Sequence, residues 1–152
     1  MKRLSPLRCA CALLLAALPA LALASDQDVI QYREAIMKTL NEQSAALGQI
    51  ASGVIPDTNL VAHMQIVALA ASAALKAFQP KVPGGQAKPD VWTNWADFSK
   101  RMTDFAQETA KGVQIAKTQG QDGALTEIVA YANDCKGCHD MYRHDTGKSD
   151  TE

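Results

Sequence analysis

Apolar residues recur at intervals of three, four and seven in four separate stretches of this chain, and glycine or proline parts each stretch from the next. That spacing lines apolar side chains along one helix face, whereas the period-two alternation of a strand stands out nowhere. The first stretch runs from about Asp26 to Ser52, with Val29, Ile36, Leu40, Leu47 and Ile50 on its face. Ser25 or Asp26 can cap it, and Gly53 and Pro56 end it. The second runs from about Thr58 to Phe78, striped by Leu60, Met64, Val67, Ala71, Leu75 and Phe78. Pro80, Pro83, Gly84, Gly85 and Pro89 then make one long loop. Asp90 reads as the cap of a third helix from about Val91 to Thr118, with Trp95, Phe98, Met102, Phe105, Thr109 and Ala116 facing inward. Gly120 and Gly123 break it from a fourth, Asp122 to Tyr142, carrying Leu125, Val129, Ala132, Cys135, His139 and Tyr142 on or near one face. Four amphipathic helices with mostly short connections predict an all-α fold, an antiparallel up-down-up-down four-helix bundle.

Residues 1–24 read as a cleaved signal peptide. Lys2, Arg3 and Arg8 start it, an apolar run from Cys9 to Leu23 follows, and Ala22-Leu23-Ala24 supplies the A-x-A cleavage site. The run is too short, and too soon followed by Asp26 and Asp28, to suit a membrane span, so none is expected after cleavage. The expected product is a single domain, 25–152, exported to the periplasm. Cys9 and Cys11 leave with the leader, so no disulfide scaffold remains. Loss of the three leader cations leaves 12 basic against 16 acidic side chains, a net charge of about −4, which argues against a nucleic-acid partner.

The chemistry concentrates in Cys135-Lys136-Gly137-Cys138-His139. This is C-x-x-C-H, the spacing that attaches haem c covalently through two thioethers. His139 lies four positions after Cys135, on the same helix face, where its imidazole can reach the iron. A redox dithiol would want the pair at the start of a helix after a strand, and no strand is visible before Asp122. A structural zinc site would want four ligands, and only His63, His139 and His144 remain, with no second spaced pair. The haem would lie in the bundle core near the C-terminal helix.

The motif continues as Asp140-Met141-Tyr142-Arg143, and the chain resembles the class II c-type cytochromes: cytochrome c′ and its low-spin relatives. Tyr32-Arg33-Glu34-Ala35-Ile36-Met37 resembles that family's first-helix signature, and Ala87-Lys88-Pro89-Asp90-Val91-Trp92 resembles the start of its third helix. The resemblance implies one haem c bound by Cys135 and Cys138, with His139 as proximal ligand. It implies Arg143 near the proximal face, Arg33 near the haem edge by a propionate, and Met37 on the distal face.

Met37 divides two expectations. A lone methionine on an apolar stripe is most simply core filling. In the low-spin relatives a Met at this position ligates the iron, and Met/His ligation favours electron transfer. The expectation carried forward is a periplasmic electron carrier, not an enzyme, with His139 and Met37 as ligands and other redox proteins as partners. The alternative is a five-coordinate haem that binds nitric oxide or carbon monoxide. His63 and His144 read as rim or solvated residues, Met64, Met102 and Met141 as gap fillers, and Trp92 and Trp95 as core or haem-packing aromatics. The resemblance also implies homodimers through the first two helices. The Ala-rich second helix suits close packing within the bundle or across a dimer, and the sequence does not choose.

Overall fold

The computed structural model describes residues 24–144. The expected leader lies outside the described residues except for Ala24, and so does the polar tail from Asp145.

Helix α1 spans Asp26–Ala51. Ser25 caps it: its hydroxyl accepts from the Asp28 amide while the Asp28 carboxylate accepts from the Ser25 amide. This reciprocal box satisfies two donors that a helix start leaves bare. Gly53, at φ 73°, turns the chain out of α1 in a left-handed conformation that suits glycine. A short 3-10 turn, Asp57–Asn59, leads into α2, Leu60–Phe78.

The expected third helix is interrupted at its start. Four residues, Asp90–Thr93, form α3, with Pro89 and not Asp90 at the cap position. Asn94 (φ −114°, ψ 45°) bends the chain before α4, Trp95–Tyr142. That last helix holds both remaining stretches, broken only at Gly120 (φ 63°, ψ −153°). Gly123 stays helical, so one of the two expected breaking glycines does the turning. The limbs on either side run antiparallel. Tyr142 meets Asp97, Phe98 meets Tyr142, and Tyr131 meets Phe105 and Glu108, pairs that lie on opposite sides of Gly120.

The four long helical segments form the expected bundle. Helix α2 packs against both α1 and α4. One apolar cluster centres on Leu47, Ile50, Met64, Val67, Ala124 and Tyr131. A second, on Ala77, Phe78, Val91, Phe98, Met102 and Tyr142, sits at the other end of the bundle beside Cys138. The inward register of the fourth stretch departs from expectation in its first half. Ala124, Ile128 and Tyr131 are buried, whereas Val129 and Ala132 are exposed. The seam runs back from Tyr142 through Cys138, Cys135, Tyr131 and Ile128 to Ala124 in steps of four and three. This is the spacing that keeps one face against a partner helix. Met141, expected as a gap filler, is 43% exposed.

By length and composition Asp57–Phe78 is apolar enough to cross a membrane. Here its inner face fills the bundle, which leaves Ile66 and Leu69 exposed on its outer face.

Candidate haem site

A cavity of about 730 Å³ opens among α1, the 79–89 segment and the two limbs of α4. All six residues expected to form the site line it: Arg33, Met37, Cys135, Cys138, His139 and Arg143. They come from the two ends of the described chain. Helix α1 brings Arg33 and Met37 one turn apart, and the final turns of α4 bring the rest.

The cysteines are half-buried and unbonded to each other. Burial raises both thiols, Cys138 to about 11, and Asp134 pushes Cys135 in the same direction. At neutral pH both are therefore protonated. A disulfide-exchange pair needs a lowered pKa and commonly the N-terminus of a helix; this pair has neither. Burial and the neighbouring Arg143 lower His139 below its usual 6.5. Its imidazole is thus neutral near pH 7, the form that ligates a metal. Among the described residues no group of three or more His, Cys, Asp or Glu side chains gathers into a metal cage. Two thiols and an imidazole on one helix, facing a large space walled by Phe78, Phe98, Phe105 and Tyr142, fit a flat apolar macrocycle with a metal at its centre.

Arg33 is only 3% exposed. Its Nη1 donates to the Val82 carbonyl at 2.7 Å and its Nη2 to Gly84 at 3.4 Å. The guanidinium also lies over the rings of Phe78 and Trp92, 5.4 and 5.1 Å from their centres. Its polar contacts thus go to the 79–89 segment, although it also lines the cavity. Met37 lines the cavity and also packs against both apolar clusters. His63, expected at a rim, is half-buried and shares a 2.7 Å hydrogen bond with Gln43 across α1 and α2.

The sequence reading missed a polar cluster behind Cys138. The Tyr142 hydroxyl donates to the Asp97 carboxylate at 2.6 Å and accepts from Asn94 at 3.1 Å. Arg101 donates to the same Asp97 oxygen at 2.6 Å. Hydrogen bonds from Arg101 and Tyr142 hold Asp97 below its usual value. Burial, with Asp97 beside it, pushes the Tyr142 hydroxyl up to about 12. The Asp97/Arg101 spacing of four was a visible signal. The Tyr142 contact becomes visible only once the chain is folded back at Gly120.

Known proteins share this fold. The family described as Cytochrome C' matches residues 28–143. Cytochrome c' of Rubrivivax gelatinosus is 29% identical over 125 residues, 76% of this chain and 94% of that protein. Cytochrome c-556 of Agrobacterium tumefaciens is 29% identical over 114 residues, 73% of this chain and 90% of its own. The solved structure of cytochrome c prime from Shewanella frigidimarina superposes with a TM-score of 0.75 at 25% identity, covering 82% of this chain and all of that one. A nitric oxide complex of a cytochrome c prime variant from Alcaligenes xylosoxidans superposes equally well, at 22% identity and the same coverage. The match begins three residues into the capped α1 and ends on the arginine that closes α4, so it takes in the whole bundle and its cavity, and the chain belongs to the cytochrome c′ family.

Proposed function

We infer that this chain is a periplasmic haem c protein that binds nitric oxide or carbon monoxide reversibly and is not an enzyme. The observation that carries the reading is the family match over 28–143, together with a like-folded relative solved with nitric oxide bound. Cys135 and Cys138 would hold one haem by thioethers, and His139 would ligate its iron from the α4 side. The group, when bound, supplies the metal to which a diatomic gas coordinates. The rest is the work of the chain. Neutral His139 offers a nitrogen lone pair. Phe78, Phe98, Phe105 and Tyr142 give the cavity aromatic walls, and Met37 lines it from α1. That Met37 packs against both apolar clusters supports a filling role.

The electron-carrier reading expected from the sequence, with Met37 as sixth ligand, has one observation in its favour: Met37 and His139 line the same cavity from different helices. Optical spectra with and without carbon monoxide separate the two. A broad high-spin ferrous spectrum that shifts on adding the gas is expected. Sharp split low-spin bands indifferent to carbon monoxide would return the assignment to electron transfer. The periplasmic location rests on the leader-like residues 1–24, and detection of the uncleaved chain in the cytoplasm would refute it.

A further inference from the structure

The segment 79–89 belongs to no long helix, yet it forms a wall of the haem cavity through Gly84, Gly85, Gln86 and Ala87. Pro80, Pro83 and Pro89 have no amide hydrogen to donate, and the segment's own pairing is limited to the Val82 amide on the Pro80 carbonyl and an isolated bridge between Gly84 and Ala87. The carbonyls of Val82, Gly84 and Gln86 take donors from elsewhere. Arg33 supplies them on one side. Its fork reaches two carbonyls two residues apart, Val82 and Gly84, a geometry that suits guanidinium better than ammonium. The rings it lies over, Phe78 and Trp92, stand just before and just after the segment, and Trp92 Nε1 donates to the Phe78 carbonyl at 2.9 Å. One side chain thus grips the segment at its middle and at both feet. Gly84 and Gly85, both at positive φ, press it onto Ile30 and Glu34 of α1. On its other side the segment bonds to the end of α4: the Lys88 amide to the Tyr142 carbonyl and the His144 amide to the Gln86 carbonyl, both at 2.9 Å.

We propose that Arg33 is a positioning residue that clamps 79–89 as a strap from α1 to the end of α4, and that this strap sets how fast a gas ligand enters the haem cavity. The assignment deepens the gas-binding reading and rests on it. It differs from a direct role beside the haem edge, because here Arg33 acts through the backbone it holds.

The test uses the full haem-loaded chain. Arg33→Met keeps an unbranched side chain and removes every donor; Arg33→Lys keeps the charge. Amide hydrogen exchange at Lys88 and His144 reads the strap, and flash photolysis reads carbon monoxide recombination. Arg33→Met is expected to speed exchange at both amides roughly tenfold, the scale of one hydrogen bond from a charged donor. It should also raise the carbon monoxide association rate several-fold, with Arg33→Lys between it and the native chain. Gly84→Ala leaves Arg33 intact and puts a Cβ 2.8 Å from Ile30 Cδ1 at φ 125°; it should move both readouts the same way, and it serves if Arg33→Met does not fold. Unchanged exchange and association with a shifted reduction potential would overturn the proposal in favour of direct contact with the haem. Faster exchange with unchanged association would overturn the gating half. A native chain that takes up no carbon monoxide would instead sink the gas-binding reading, while the exchange data would still judge the clamp.

Discussion

Cys138 shows how burial assigns a chemistry. Its thiol, raised to about 11, is a poor nucleophile at neutral pH, which argues against repeated disulfide exchange. Cys138→Ser should leave one attachment point, and haem stain on a denaturing gel should fall sharply while Cys135 retains some. Met37 has the opposite character, a flexible apolar side chain packed against both apolar clusters. If it fills space, Met37→Ala should keep the spectral class, speed carbon monoxide association, and cost about 2 kcal/mol in denaturant unfolding, at the low end because the side chain is only partly buried. These residues were legible because C-x-x-C-H and the first-helix signature carry chemistry in their spacing. The contacts of Arg33 were not, because its acceptors are backbone carbonyls 49 and 51 positions away, and backbone leaves no mark in a sequence.

Among the elements, α4 departs most from its sequence reading and depends most on single residues. Its limbs meet so closely at Gly112 that a Cβ there would collide with the Tyr131 hydroxyl, which donates to the Glu108 carbonyl. Gly112→Ala should therefore destabilise by about 1–3 kcal/mol as overpacking, against the usual gain of Gly→Ala in a helix, and a lowered denaturant midpoint would register it. The Asp97 cluster gives α4 a sensitivity to acid. Asp97 is depressed in the folded state, so the stability it contributes is present above its unfolded value near 3.8 and is lost as pH falls through the lower folded value. The stability difference between the native chain and Asp97→Asn should accordingly close as pH drops from about 5 to about 2. The helical stripes of the first three stretches were readable from spacing alone. In the fourth, Leu125 and Val129 offered a competing apolar stripe, one position from the seam that Tyr131 and Ile128 fill. Only packing against the opposite limb decides between faces so close together.

For the whole molecule, the four-helix architecture was readable because each stretch is long, amphipathic and bounded by breakers. The cavity was not, since it arises where elements far apart in the chain converge. Its completion has a consequence for biosynthesis. Lys88 and Gln86 reach their partners only at residues 142–144, and both cysteines lie within ten residues of that point. As the chain emerges, α1, α2 and the strap appear long before anything that can hold them around a cofactor. The final turns of α4 bring both cysteines and the last wall of the chamber at almost the same moment.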